Sequence, residues 1–509
     1  MSRAAAIRWG VVVAAVCLLE VLCRTGAIRP QVVVAPSAMV ASLAHLLTEP
    51  AVLANIGRTA GEIAVAFLSA TVVGFAAGIA LHALPRLRRA TAPLFAAYYA
   101  VPVFIFYPVF VAIFGLSTIP IMLIGFALAA VAMILATLDA LDRIPRVLDK
   151  LGREMRLGPA RAALLLKFPA AAPSLFGGIK LVVSYSFVAV IASEFIVSPG
   201  GIGYAIAFAY NTFDSATMYG LILLVVILVL LVMAGLNGVE RRIARTGVAA
   251  NSVATDERRA GGGGAGTVRD AGLIVLVLVL LWAGLSALVG ASALPSPQAV
   301  AADLPTLFGD GSFWQDVGST AAALAMAFAL SAVIGIVLGL GLGLSRPAAA
   351  VVEPLLVSFY SIPKVVFYPI ILLTCGIGML DKVVFGALHG FVPVALFALN
   401  AVRTMRPVYG RLARALDLGR GQAALTVALP AAFPQIVSGL RIGLSLTLLG
   451  VLISELFAAK RGLGHLISIS TGLGDLVTTI AVALVLFVAA VAMDFGMVRL
   501  GRALAGAIR

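Results

Sequence analysis

The sequence predicts an all-α polytopic membrane protein made of two parallel six-helix repeats, about 12 transmembrane helices in all. Three observations predict it. The first is composition: 62% of the 509 residues are apolar and 11% are charged, where a soluble domain is nearer half apolar and a quarter charged. No single water-soluble core buries that much apolar sequence. This excludes an ordinary cytosolic enzyme, a disordered tail and a secreted disulfide scaffold. The second is an internal repeat. The third is the placing of Lys and Arg, which gather in alternate connections as they do in loops held on the cytoplasmic side. The net charge of +14, from 36 Lys and Arg against 22 Asp and Glu, therefore reads as membrane orientation rather than nucleic-acid binding.

Sliding the chain against itself by 261 residues aligns it without gaps. Gly57, Thr59, Gly74 and Gly78 fall on Gly318, Thr320, Gly335 and Gly339. Pro102, Phe106, Tyr107 and Pro108 fall on Pro363, Phe367, Tyr368 and Pro369, and Ser193, Glu194, Gly201 and Gly203 on Ser454, Glu455, Gly462 and Gly464. Two Ala/Leu-rich sequences match by chance at apolar positions, but not at Gly, Pro and Glu on one fixed offset. The repeats occupy 1–245 and 268–509. Between them, 246–267 reads as a cytoplasmic linker, Gly-rich and polar in TDERRAGGGGAGT (255–267). It carries no GxxxxGK[ST], so no phosphate cradle.

In the first repeat, apolar runs predict spans near 8–26, 59–82, 93–116, 120–141, 174–196 and 217–239. In the second they predict spans near 270–289, 320–342, 354–377, 383–402, 435–457 and 478–498. The first span has the look of a signal peptide, but its counterpart at 270–289 is internal, which argues for a retained span. With the N-terminus inside, Arg86, Arg88, Arg89, the 143–167 loop and Arg241, Arg242 and Arg245 are all cytoplasmic, while Arg24, Arg29 and Arg58 fall outside. Lys382, Lys460 and Arg461 also fall outside, making the second half less clean. Six spans per half bring both termini and the linker inside, so the repeats are parallel. Cys17, Cys23 and Cys375 lie in apolar runs without pairing or metal spacing and read as packing residues.

The most informative segment joins the fourth and fifth spans of each half. Leu148, Leu151 and Met155 form a helical stripe, repeated by Tyr409, Leu412 and Leu416. Lys150 and Arg153 lie off the stripe, matched by Arg411 and Arg414. The spacing predicts an amphipathic cytoplasmic helix that breaks near Gly158 or Gly419. One such helix fits a lipid surface. Two equivalent ones fit two equivalent soluble partners better.

These segments resemble the EAA loop of permease subunits of bacterial ATP-binding-cassette importers, whose form is EAA, three residues, Gly, nine residues, then I-x-L-P. The endings L-K-F-P (166–169) and V-A-L-P (427–430) match the last element. The family's glycine falls on Arg156 and Asp417, and its EAA on Lys150-Leu151-Gly152 and Arg411-Leu412-Ala413, so both halves depart from the motif alike. S-E-F-I-V-S-P-G-G-I-G-Y (193–204) and S-E-L-F-A-A-K-R-G-L-G-H (454–465) resemble the Glu and Gly-Leu-Gly segment of the nitrate, sulfonate and taurine branch. The resemblance covers nearly all of each half. It implies a type I importer permease in the bacterial cytoplasmic (inner) membrane, with two permease subunits fused in one chain.

The resemblance further implies that Lys150, Arg153, Arg156, Gly158, Arg411, Arg414, Asp417 and Gly419 lie in loops that dock two copies of a separate ATPase. That partner would bind ATP and Mg; this chain is expected to hold no cofactor and to be no enzyme. An external binding protein would deliver a small anion or organic solute, such as nitrate, a sulfonate, taurine or a pyrimidine precursor. Ser193, Glu194, Ser454 and Glu455 stand at the ends of the fifth spans, as a gate or as carboxylates bonded to the glycine turn that follows. Lys364, whose counterpart is Val103, attracts an anionic substrate, snorkels, or neutralises a neighbouring carboxylate. His389 and Asn400 read as interhelical hydrogen-bonders, Lys180 and Arg441 as anchors, and Asp214 and Asp475 as helix caps. The rival reading is a secondary transporter of the major facilitator type, also with twelve spans. The basic loop repeated inside each half counts against it. A membrane-embedded enzyme has no nucleophile–base or metal-ligand constellation to support it.

Overall fold

The computed structural model describes residues 3–29, 32–100, 103–196, 198–246, 265–405 and 407–507. Among the described residues all regular structure is helical. The first half comprises α1 (Arg3–Arg24), α2 (Pro36–Leu46), α3 (Pro50–Ala83), α4 (Pro85–Ala100), a 3₁₀ turn (Val103–Phe106), α5 (Tyr107–Phe114), α6 (Thr118–Asp142), α7 (Arg146–Glu154), α8 (Pro159–Ala162), a π-helical turn (Ala163–Lys167), α9 (Phe168–Ile196), α10 (Ile202–Asn211) and α11 (Ser215–Thr246). The second repeats it as α12 (Ala265–Val289), α13 (Pro297–Gly309), α14 (Gly311–Gly343), α15 (Arg346–Ser361), a 3₁₀ turn (Lys364–Phe367), α16 (Tyr368–Cys375), α17 (Met379–Arg403), α18 (Pro407–Ala415), α19 (Arg420–Ala423), a π-helical turn (Ala424–Ala428), α20 (Leu429–Ala458), α21 (Leu463–Gly472) and α22 (Leu476–Ala507). The linker expected at 246–267 lies mostly outside the described residues; its described edges, 246 and 265–267, belong to α11 and α12.

Ten of these helices are long and apolar enough to cross a membrane, or eleven if one bent pair counts as a single span. Twelve continuous spans were expected, and the third of each half is the reason for the difference. In the second half Arg346–Ser361 and Lys364–Cys375 meet at 91° instead of forming one span over 354–377. Pro363 supplies no N–H, and Ile362 before it is extended at φ −77° and ψ 132°, the conformation a following proline favours. In the first half the expected span 93–116 likewise divides into α4, the 3₁₀ turn and α5. Gly115 and Gly376, both at φ 70°, end the short second segments.

Matched glycines set the distance between the remaining helices. A Cβ on Gly74 would stand 2.7 Å from Met133 Cβ, and one on Gly335 2.6 Å from Val394 Cβ. Gly78 and Gly339 bear on Thr137 and Ala398 in the same way. Small residues four apart let α3 approach α6, and α14 approach α17, backbone to backbone. α9 and α20 complete the two three-helix cores.

The halves interlock. α4 packs against α12, α20 and α22, while α15 packs against α1 and α11. One apolar cluster draws on both halves, joining Val190, Ile206 and Val225 with Val366, Tyr368 and Phe385. Ion pairs fix the polarity. Asp142 at the end of α6 meets Arg88 at the start of α4 (2.5 Å) and His82 near the end of α3 (3.4 Å). At the opposite end Ser42 of α2 donates to the Ala216 carbonyl at the start of α11 (2.8 Å). α1 and α12 therefore begin at the same end as α7 and α18, and the two repeats run parallel, as expected.

Candidate functional site

The two matched glutamates stand in one recurring device. α9 ends two residues after Glu194, and the chain turns through Gly201, at φ 105°, into α10. A Cβ on Gly201 would lie 2.2 Å from Glu194 Oε1, so only glycine fits beneath the carboxylate. Glu194 accepts from the Thr59 hydroxyl (2.6 Å) and the Gly203 N–H (2.8 Å). Thr59 in turn accepts from the Ile202 N–H (2.9 Å), and Asn55 from the Gly201 N–H (2.9 Å). The second half repeats every bond. Thr320 donates to Glu455 (2.9 Å), as does the Gly464 N–H (3.0 Å), while Thr320 and Asp316 accept from the N–H groups of Leu463 (2.8 Å) and Gly462 (2.9 Å). Both glutamates thus hold the glycine turn that follows them, one of the two expected arrangements, and tie it to α3 or α14.

The surroundings of the two carboxylates differ. In the second half Lys382, 4% exposed at its side chain, pairs with Glu455 at 3.0 Å. It also donates to Ser319 (3.1 Å) and the Arg461 carbonyl (2.5 Å). Expected as an external loop charge, Lys382 is a buried ion-pair partner one turn into α17, because the helix begins at Met379 rather than 383. Beside it Asp381 accepts from the Tyr368 hydroxyl (3.1 Å), the Ser454 hydroxyl (3.0 Å) and the Gly378 N–H (2.6 Å). The first half has Ile121 and Pro120 at those positions. There Glu62 lies beside Glu194 and accepts from Arg58 (3.1 Å), while Ser193 Oγ and Glu62 Oε2 are buried and have no hydrogen-bond partner among the described residues.

At this end the halves close on each other through rings. Phe195 of the first half stacks on Phe457 of the second with centroids 4.4 Å apart, and Tyr368 meets Phe457 edge-on at 5.3 Å.

A cleft lies on the pseudo-twofold axis. Its walls are offset-related pairs: Ser184 with Ser445, Tyr185 with Leu446, Val188 with Leu449, Val103 with Lys364, and Leu128 with His389. Ser184 and Ser445 precede Glu194 and Glu455 by ten residues, about 15 Å of helix. The cleft is therefore well inside the bundle, beyond the ring closure. Lys364 is 6% exposed; its Nζ donates to the Tyr360 carbonyl (3.3 Å) and lies 5.0 Å from the Tyr360 ring centre. His389 bonds the Phe385 carbonyl of its own helix (3.0 Å) and faces the cleft rather than bridging helices. Lys364 is in no hydrogen bond with either glutamate, so the expected path residues divide between the cleft and the two turns.

At the opposite end, α7 and α18 carry the expected stripe. Leu151, Met155, Leu412 and Leu416 are 42%, 56%, 46% and 59% exposed. Lys150, Arg153, Arg156, Gly158, Arg411, Asp417 and Gly419 are exposed as well, and Arg414 stands in α18. The helix break lies near the glycines, as expected, but not on them. It falls two residues earlier, where Arg156 and Asp417 take left-handed conformations at φ 48° and 49°. The Arg156 N–H bonds the Arg153 carbonyl (3.0 Å) and the Leu157 N–H the Gly152 carbonyl (2.9 Å), a Schellman ending with arginine in the left-handed position. The π-helical turn that follows recurs at the same offset in both halves.

Of the other expected residues, Asp214 and Asp475 cap α11 and α22 through the N–H groups of Thr217 and Thr478 (both 3.1 Å). Lys180 and Arg441 anchor α9 and α20 by pairing with Glu240 (2.7 Å) and Asp494. Asn400 is exposed. Sequence reasoning missed Glu62, Asp381 and Lys382. The signal was available: each is a charged residue whose counterpart at the fixed offset is uncharged (Ala323, Pro120, Ile121).

The family model described as binding-protein-dependent transport system inner membrane component matches residues 70–245 and again 331–506. The chain belongs to this family. It is a multi-pass permease carrying the family's domain twice. Its relatives include the taurine transport system permease protein of Escherichia coli, 30% identical over 202 residues, which are 38% of this chain and 74% of that relative. The riboflavin transport system permease protein of Chloroflexus aurantiacus is 34% identical over 234 residues, 44% of this chain and 87% of its own length. A nitrate import permease protein of Leptolyngbya laminosa is 28% identical over 205 residues, 40% and 70% of the two chains. Each relative spans about one half of this permease, as a fused duplication requires. These relatives are transport permeases rather than enzymes, and membership leaves the major-facilitator reading without support.

Proposed function

We propose that this permease forms the solute path of an ATP-driven importer, with the cleft between its halves as the path and two copies of a separate ATPase beneath it. One observation carries the reading: two equivalent helices at one end of the bundle, α7 and α18, expose apolar stripes that nothing among the described residues covers. Leu151 and Met155 on one, and Leu412 and Leu416 on the other, are ready-made contacts for two equivalent soluble partners. That end, with the termini, is cytoplasmic. ATP and Mg are bound by the partner. A substrate-binding protein delivers a small anion or organic solute, of the kind named for the taurine, sulfonate and nitrate relatives, to the end closed by Phe195 and Phe457. Closure of the ATPase pair shifts the two interlocked halves between states open to either side.

Copurification with an ATPase at one chain to two subunits, and uptake into proteoliposomes only with ATP, is the expected result. Uptake by this chain alone would refute the reading. A Cβ on Gly158 would meet nothing within 4 Å, so Gly158→Trp should fold as the wild type. Its expected effect is loss of solute-stimulated ATP hydrolysis, and unchanged coupling would remove this loop from the contact.

A further inference from the structure

The cleft is built on a symmetric frame but carries an asymmetric charge. Lys364 is its one cation among the described lining residues, at a position where the first half has Val103. No ion pair reaches its Nζ among the described residues; it is held by the Tyr360 carbonyl and lies over the rings of Phe359 and Tyr360 at 5.8 and 5.0 Å. The described lining contains no Asp or Glu. A buried cation without a counter-ion is costly, and an intramembrane one marks a ligand partner by default. Apart from Ser184, Ser445 and His389, the rest of the described wall is apolar or aromatic, and includes Tyr98, Phe104, Tyr185 and Tyr360.

We infer that this cleft binds a monoanion borne on an uncharged aromatic ring, its headgroup at Lys364 and its ring against Phe104, Tyr185 and Tyr360. The inference rests on the cleft being the solute path and names the solute's class. One cation matches one negative charge. The rings offer stacking surface to a flat body. A zwitterion such as taurine is disfavoured, because its ammonium would meet Lys364 and find no carboxylate. A bare inorganic anion satisfies the lysine but leaves the aromatic walls unused. Lys364 is then retained for binding at a cost to stability.

The test measures binding to the full chain in lipid nanodiscs by titration calorimetry, with benzoate, benzenesulfonate, taurine, nitrate and benzylamine as probes. Benzoate or benzenesulfonate should bind, and which of the two binds tighter identifies the headgroup. Taurine, nitrate and benzylamine should bind at least about tenfold more weakly. Lys364→Met should abolish aryl-anion binding while unfolding at the same or a higher temperature, and Lys364→Arg should retain binding. Taurine or nitrate binding as tightly as the aryl anions overturns the inference, as does no aryl-anion binding or unchanged binding by Lys364→Met. A Lys364→Met chain that unfolds at a lower temperature shows the lysine to be structural, and overturns it too. The importer reading fails separately, through the absence of a copurifying ATPase.

Discussion

Replacing Lys382 by Met removes the only counter-charge of Glu455 that makes an ion pair among the described residues. The pair is 3.0 Å apart with side chains 4% and 0% exposed. At an effective dielectric of about 20, charges at that distance attract by about 5–6 kcal/mol, before the desolvation of both groups is subtracted. Breaking a buried pair from one side leaves the other charge uncompensated and costs about 3–5 kcal/mol. Glu455 keeps its bonds from Thr320 and Gly464 (2.9 and 3.0 Å), so the lower part of that range is expected for Lys382→Met. The double variant Lys382→Met with Glu455→Gln removes the stranded charge and leaves an amide whose oxygen still accepts from Thr320 and Gly464. Its expected cost is within about 1 kcal/mol of the wild type, well below that of the single variant. Unfolding of the purified chain in mixed micelles, followed by circular dichroism, measures all three forms. A single variant costing under about 1 kcal/mol, or a double variant no better than the single, would refute the assignment of Glu455 as a charge balanced by Lys382.

Two further outcomes follow from the backbone. Gly462→Ala combines a φ of 125° with a Cβ 2.2 Å from Glu455 Oε1, so it should destabilise the chain by at least about 2 kcal/mol, whereas Gly472→Ala, with nothing within 4 Å, should be nearly silent in the same unfolding assay. Arg156→Gly relieves the left-handed strain at φ 48°, worth about 1 kcal/mol; hydrogen exchange of the Leu157 amide should slow about fivefold, and Arg156→Ala, which keeps a Cβ, should leave it unchanged.

Hydropathy made the duplicated bundle legible because burial in lipid demands long apolar helices, and because Gly74, Gly78 and their counterparts must be small for α3 and α14 to approach their neighbours. The glutamate turns were legible too, since Glu194 and Gly203 sit nine residues apart and bond each other across one turn. What hydropathy could not carry was direction. The run 354–377 is apolar throughout, so it reads as one span although Pro363 turns it by 91°. Nor could it carry burial decided by distant partners: Lys382 meets Glu455 73 residues away. The helix break shows a third limit. Glycines at 158 and 419 attracted the prediction, but the left-handed residues that end the helices are 156 and 417. The family's spacing had pointed to those positions although no glycine occupies them.

The fused architecture gives these asymmetries a common sense. In a permease assembled from two identical subunits, any residue facing the axis appears twice. A lysine at the position of Lys364 would then face its own copy across the cleft, and two buried ammonium groups without counter-ions would repel at short range. Fusion lets the two positions diverge, so Val103 faces the cleft from one side and Lys364 from the other. The same freedom separates Leu128 from His389 in the cleft, and Ile121 from Lys382 and Ala323 from Glu62 at the glutamate turns. The backbone has stayed symmetric, down to the π-helical turns and left-handed residues at matching positions. The paired loops at the α7 and α18 end thus keep their geometry, while the axis and the turns at its closed end are where the two halves part in charge.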